Sequence, residues 1–159
     1  TQPILGFNYG ARRVDRVMSA QRRIFLWCLA YTSLMFVLAR VAGPLFVRLF
    51  TTDPVVAKKA VWAIRICTLA LIPLGLQYEI VDGFTAIGQV RFSWPLSFWR
   101  KTVYFASLFV LPALFGVEAV FYAEAISDTA GALTSICIHA CVMKKLLARR
   151  VTETDKGTP

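Results

Sequence analysis

The sequence has few charged residues for its length. Of its 159 residues, 17% are charged and only 9 are acidic, whereas 57% are hydrophobic and the mean hydropathy is +0.60. Soluble domains carry about 25% charged and about 45–50% apolar residues. A soluble chain this short must cover a large surface with polar groups and could not hide so much apolar material. The composition therefore excludes an ordinary soluble domain and predicts an integral membrane protein.

Groups that carry catalysis or bind metals are also scarce. There is a single histidine, His139, and neither a nucleophile elbow nor a phosphate-binding loop. We therefore expect no enzymatic activity and no cofactor other than a coupling ion. Cys137, His139 and Cys141 alternate on a predicted helix, where residues two apart point about 200° away from each other. This spacing argues against a metal site, and the four cysteines, all inside apolar runs, predict no disulfide framework.

Apolar runs of 18 or more residues predict transmembrane helices. Four such spans are predicted, at about 24–50, 61–88, 92–115 and 117–143. Asp53 and Pro54 are typical of a helix start before the second span, where Pro73 and Gly75 predict a kink. Pro112 and Gly116 are expected to end the third span. The predicted fold is all-α, with four transmembrane helices.

The two ends of the chain differ from the spans. The opening residues TQPILGFNYG are apolar and break at Gly6 and Gly10, which we expect to end a fifth helix whose beginning lies upstream. We therefore interpret the chain as a fragment. The transmembrane part is predicted to cover residues 1–148, followed by a polar cytoplasmic tail at 149–159, of which residues 151–159 (VTETDKGTP) are expected to be disordered.

The net charge of +9 is carried at the ends of the apolar runs rather than across one face. That placement argues against a nucleic-acid partner and favours a lipid bilayer. Basic residues concentrate before the first span, between the second and third, and after the fourth, all on one side of the membrane. These are Arg12, Arg13, Arg16, Arg22, Arg23, Arg91, Lys144, Lys145, Arg149 and Arg150. The positive-inside rule places this side, with the C-terminus, in the cytoplasm of a multi-pass inner-membrane protein.

Four acidic residues within the spans are the candidate functional groups. Glu79 and Asp82 are spaced i, i+3 in the second span, and Glu124 and Asp128 are spaced i, i+4 in the fourth, so each pair shares a helix face. An acid near the centre of a membrane helix costs about 2.5–3.5 kcal/mol, and such residues often bind protons, cations or substrates. Two other interpretations remain: pairing with basic residues of the bundle, for which Arg65, Arg100 and Lys101 are available, or a position at the membrane interface.

The first residues of the chain also carry a motif. QPILGFNYGARRVDRV resembles a signature of the multidrug and toxic compound extrusion family, through Gln2, Pro3, Gly6, Phe7, Asn8, Tyr9, Gly10, Ala11, Arg16 and Val17. Phe7 stands where tyrosine is commoner in that family. LFTTDPVV, AIRICTLALIPLGLQYEIVDGFTAIGQVR and VFYAEAISDTAGAL resemble later segments of the same family, so that the likeness covers nearly all of residues 1–148.

This resemblance implies a twelve-helix antiporter made of two six-helix lobes, of which the chain would supply the end of helix eight and helices nine to twelve. It implies export of cationic or amphipathic drugs from a bacterial cell in exchange for H⁺ or Na⁺, with the N-terminal lobe as the missing partner. The four acids do not align with the family's coupling residues in a definite register, so they remain candidates on physical grounds.

Two other functions fit the sequence. A lipid-linked oligosaccharide flippase of the same superfamily would need a cationic cavity for a pyrophosphate, for which Arg40, Arg65, Arg100 and Lys101 are the candidates within spans. A non-transporting four-helix scaffold subunit would predict helix interfaces of small residues and no ion coupling.

Overall fold

The computed structural model describes the backbone of residues 1–155 and the side chains of residues 1–148. Every element in this part of the chain is helical, which confirms the predicted all-α class. The elements are α1 (Gln2–Gly10), α2 (Val14–Arg48), α3 (Pro54–Cys67), α4 (Leu71–Ala86), α5 (Val90–Phe115), a 3₁₀ segment (Val117–Phe121) and α6 (Tyr122–Asp155).

Most helix ends lie where the turn residues predict them. Asp53 caps α3 by accepting hydrogen bonds from the backbone N–H groups of Val55 (2.8 Å) and Val56 (3.4 Å), and Pro54 begins the helix. Gly116 follows the last residue of α5 with φ +87°, a backbone conformation that favours glycine. α1 ends at Gly10 as predicted.

The prediction that Gly6 would help end α1 is wrong. Gly6 lies inside the helix, where an added Cβ would come within 2.9 Å of the Ala86 carbonyl oxygen. The glycine is therefore a packing residue that lets α1 approach the end of α4 closely.

The predicted second span, 61–88, is two helices rather than one. α3 ends at Cys67 and α4 begins at Leu71, just before Pro73. Proline has no N–H group to continue the helical hydrogen-bond ladder, and its ring crowds the carbonyl one turn earlier. The break therefore precedes the proline by a turn, whereas the sequence predicted a kink at Pro73 and Gly75.

Two further boundaries differ from the sequence prediction. α2 begins at Val14, so that Arg22 and Arg23 lie on a helix rather than in the loop before the first span. α6 continues to Asp155, so the expectation of a disordered tail from residue 151 is wrong for residues 151–155. The last four residues, 156–159, lie outside the described part.

By length and hydropathy, two helical segments could each cross a membrane unaided: Val14–Arg48 and Val117–Ala148. α3 and α4 are separately too short, with 14 and 16 residues, because of the break between them. α5 has 26 residues but includes Arg91, Arg100 and Lys101. The four predicted spans therefore remain a prediction, in which α3 and α4 together would form one broken span.

α4 lies at the centre of the bundle, in contact with α1, α2, α5 and α6. Phe84 is fully buried and stacks obliquely on Phe92, with 5.4 Å between ring centroids. The core cluster around it gathers residues from five of the helices: Leu5, Val17, Ile80, Phe84, Ile87, Leu96, Met143, Leu146 and Leu147. We call this the basic end of the bundle, because Arg12 and Arg13 before α2, Arg91 at the start of α5, and Lys144 and Lys145 late in α6 lie at this end.

Candidate functional site

The structure separates the four candidate acids into four different environments. Glu79 and Asp128 are buried, with 6% and 2% of their surface exposed. Asp82 is half-buried and Glu124 is exposed. The helical spacing predicted that the two acids of each pair share a helix face. In each pair, however, one acid is buried much more deeply than the other.

Asp128 is paired. Its Oδ1 accepts a hydrogen bond from Nη1 of Arg100 on α5 at 3.0 Å, and both side chains are largely buried. Nη2 of Arg100 donates to the Tyr78 hydroxyl of α4 at 3.0 Å, and the guanidinium lies over the Tyr78 ring. The cluster ties α4, α5 and α6 together. Pairing with Arg100 was one of the structural alternatives for the acids, and Asp128 adopts it.

Asp82 joins α4 to the family motif. Its Oδ1 accepts a hydrogen bond from Nε2 of Gln2 at 3.1 Å. Asn8, another motif residue, donates to the carbonyl oxygen of Ile4 at 2.8 Å within α1, and Tyr9 packs against the core cluster. In these contacts the motif residues contribute to helix packing. Asp82 is the candidate acid that connects α4 to α1, through its hydrogen bond with Gln2.

Glu79 differs from the other three acids. It is buried, yet its Oε1 has no hydrogen-bond partner among the described residues. Gly75, one turn earlier on the same face of α4, lies against Cys28 and Thr32 of α2, so this face of α4 is directed at α2. The nearest charge on its own helix is Asp82, which repels the ionised carboxylate rather than compensating it. A buried carboxylate without a basic partner is costly when ionised and readily takes up a proton or a cation.

Uncharged polar residues in the interior were missed by the sequence prediction, which considered only ionisable groups. Gln77 is 2% exposed; its Nε2 donates to the Leu96 carbonyl oxygen at 3.5 Å while its Oε1 has no partner in the described chain. It packs on Gly131 of α6, where an added Cβ would come within 2.6 Å of Oε1. Ser135, fully buried, also has an unpartnered hydroxyl. The available signal was a glutamine two residues from an acid inside an apolar span.

His139 pairs with α2 rather than with the cysteines beside it. Its Nε2 lies 3.1 Å from Nε2 of Gln21, and its ring packs edge-on against Phe25 and Phe84. Cys137 and Cys141 are exposed. The residues described by the structure contain no cluster that could hold a metal ion.

The two buried acids therefore differ in how their charge is compensated. Asp128 is neutralised by its ion pair with Arg100. Glu79 forms no ion pair with a described residue, and its Oε1 has no hydrogen-bond partner among them. Of the four candidates, Glu79 is the one whose burial without a basic partner suits reversible binding of a proton.

Comparison with known proteins places this arrangement in a family. The family model described as MatE matches residues 1–105. Multidrug export protein MepA of Staphylococcus haemolyticus (strain JCSC1435) is 24% identical over 144 residues, which are 91% of this chain and 32% of MepA. MepA of Staphylococcus aureus (strain NCTC 8325 / PS 47) is 24% identical over 142 residues, 86% of this chain and 30% of MepA. The chain thus spans less than a third of the length of these relatives.

No solved structure gives a significant match to the chain. The family match covers well over half of the residues, and it begins at the motif whose contacts are described above. The chain therefore belongs to the MatE family, the multidrug and toxic compound extrusion family that its opening motif resembles, and is an all-α membrane protein.

Proposed function

We propose that the chain is part of a secondary active antiporter of the bacterial inner membrane that exports cationic or amphipathic drugs in exchange for H⁺ or Na⁺. The family match and the similarity to multidrug export proteins support the transport of drugs. The observation that supports ion coupling is that Glu79 is buried and that its Oε1 has no hydrogen-bond partner among the described residues.

Binding of a proton or cation at Glu79 would remove an uncompensated charge from the interface between α4 and α2. An ion that binds one conformation better than another shifts the population toward it. In this proposal the break between α3 and α4, next to Pro73, is the flexible point that lets α4 respond. Alternating access then rocks the lobe containing these helices against the N-terminal lobe. No enzymatic step, cofactor or nucleic acid takes part.

The test uses the full-length protein reconstituted in proteoliposomes, with ethidium as the cationic substrate and an imposed H⁺ or Na⁺ gradient. Glu79→Gln is expected to abolish the transport driven by the gradient, because the amide keeps the shape but cannot be protonated or neutralise a cation. Glu124→Gln is the matched control: it makes the same change on an exposed acid and should leave transport unchanged. Gradient-driven transport at the wild-type rate in Glu79→Gln would remove this residue from the coupling mechanism.

One observation favours the flippase alternative. Arg48, Lys58 and Arg65 line a cleft of about 400 Å³ between α2 and α3, at the end of the bundle opposite the basic end. A cleft with three basic side chains suits a phosphate or pyrophosphate group. In contrast Arg100, counted among the candidate flippase residues, is neutralised by Asp128.

The same liposomes separate the two functions. Replacing Arg48, Lys58 and Arg65 together by glutamine should leave ethidium transport intact if the protein is a drug antiporter. Loss of transbilayer movement of a fluorescent lipid-linked pyrophosphate, with ethidium never transported by the wild type, would favour the flippase. The scaffold alternative is less suited, because the close contacts of Gly75 and Gly131 are made within the chain itself.

A further inference from the structure

A groove between α2 and α6 is used by none of the functions above. It has a volume of about 450 Å³ and lies over Leu76 of α4. Apart from the residues discussed next, its walls are apolar side chains of α2 and α6: Met18, Phe25, Leu26, Leu29, Met143 and Leu147. A groove of this kind accepts a flexible apolar chain, because methionine and leucine side chains adapt to irregular shapes.

Two basic side chains border this groove, Arg22 on α2 and Lys144 on α6. Both are exposed, and neither forms an ion pair with any described residue. They lie at the basic end of the bundle, where the positive-inside rule places the cytoplasmic surface. Among the residues whose side chains the structure describes, no acidic residue lines the groove.

The groove also contains a polar pair, neither member of which is acidic. Gln21 and His139 contact each other at 3.1 Å across the gap between α2 and α6, and Gln21 is 5% exposed. The rings of Phe25 and Phe84 pack edge-on against the ring of His139 and fix its position. The groove thus combines an apolar wall, a polar contact between Gln21 and His139, and two basic side chains on its border.

We propose that this groove binds an anionic phospholipid, with the phosphate of the headgroup between Arg22 and Lys144 and an acyl chain along the apolar wall. Basic pockets between membrane helices at the cytoplasmic side recognise anionic headgroups in this way. A cationic drug is disfavoured by the same two charges. An apolar helix from the rest of the protein would cover the wall but would leave both cations without a counter-charge.

The experiment is native mass spectrometry of the full-length protein released from detergent, with phosphatidylglycerol and phosphatidylcholine of equal chain length added in equal amounts. The wild type should retain phosphatidylglycerol preferentially. Arg22→Gln/Lys144→Gln should weaken its binding about tenfold or more, since each basic residue contributes a comparable share of the attraction to an anionic lipid. Leu76→Trp, which fills the groove without changing charge, should weaken binding as well.

Arg23→Gln/Lys145→Gln is the matched control. Each residue is the next one along the same helix, the loss of charge is identical, and neither side chain lines the groove. This variant should retain phosphatidylglycerol as the wild type does.

Equal losses in the two double variants would show general surface attraction and overturn the proposal. So would a wild type that retains both lipids equally, because the groove would then be covered by another part of the protein or be unselective. Normal ethidium transport in Arg22→Gln/Lys144→Gln would separate this result from the proposed antiport.

Discussion

The basic end of the bundle and the opposite end are built differently, although both are rich in apolar residues. At the basic end, five helices surround Phe84 and bury a continuous cluster. At the opposite end, α3 and the 3₁₀ segment bury no residue, and large side chains such as Phe50, Phe109 and Phe115 are three-quarters exposed. The two ends are therefore similar in apolar composition, but only the basic end buries its apolar residues in a packed core.

The difference shows what apolar residues do in a membrane protein. Lipid is as apolar as leucine, so exposure to it carries no hydrophobic penalty, and helices associate through close packing and polar contacts. The basic end has those contacts: glycines against neighbouring helices, Gln2 on Asp82, and Gln21 on His139. The opposite end offers an apolar surface suited to lipid. The substitutions below test this contrast, from the largest expected effect to the smallest.

Phe84→Ala should have the largest effect on stability. Phe84 is fully buried among several helices, so that its removal leaves a cavity that the helices cannot close. Loss of a buried phenylalanine costs about 3–5 kcal/mol in the free energy of unfolding. Steric trapping of the full-length protein in bicelles would measure it.

Phe109→Ala is the matched substitution on α5 at the other end, where the ring is 73% exposed. It should change the free energy of unfolding by less than about 0.5 kcal/mol. A large loss from Phe109→Ala would show that the N-terminal lobe packs on this surface, and the contrast between the ends would then belong to the chain alone and not to the whole protein.

Asp128→Asn should cost nearly as much, because it leaves the guanidinium of Arg100 in the interior without a counter-charge. Removing one partner of a buried ion pair costs about 3–5 kcal/mol. We expect the lower end of that range, since the Tyr78 hydroxyl still accepts a hydrogen bond from Arg100. The double variant Asp128→Leu/Arg100→Met should recover most of the loss, because it removes both charges. Unfolding of both variants in bicelles would test this pair.

The Lys59–Glu118 pair, joining α3 to the 3₁₀ segment at 2.9 Å, is the comparison at the opposite end. Both side chains are about 70% exposed, so solvent screens their attraction. Glu118→Gln should leave the unfolding transition unchanged within error. If it destabilised the protein as much as Asp128→Asn, the outer pair would have to be covered in the full-length protein.

The sequence predicted the helices better than it predicted their packing. Long apolar runs and residues such as Asp53 and Gly116 act locally, so the helix ends they specify could be located without knowledge of neighbouring helices. The break between α3 and α4 was placed a turn too late, because a proline acts on the carbonyl one turn before it. The role of Gly6 was wrong, since only the approach of α4 distinguishes a packing glycine from a terminating one.

The candidate site could be predicted only as a set of residue types. Helical spacing groups Glu79 with Asp82 and Glu124 with Asp128, and it treats the members of each pair alike. What separates them is tertiary: Arg100 lies 28 residues from Asp128 and Gln2 lies 80 residues from Asp82. Glu79 is distinguished by the absence of such a partner in the described chain, which no local pattern can reveal.

Gly131→Ala should have the smallest effect of the three stability changes, and it tests whether close packing between α4 and α6 contributes to stability. The added Cβ would lie 2.6–2.8 Å from the amide group of Gln77, a buried side chain held by the Leu96 carbonyl. Overpacking of this kind costs about 1–3 kcal/mol. Alanine favours the helix over glycine by about 1 kcal/mol, which offsets part of that cost. The net loss should therefore be about 1 kcal/mol, measurable by the same unfolding assay.

Gly10→Ala is the control, because no atom of a neighbouring helix lies within 4 Å of its added Cβ, and it should be neutral or slightly stabilising. Equal effects of the two alanines would mean that Gln77 moves aside freely, and the α4–α6 interface would then be looser than the contacts between these helices indicate.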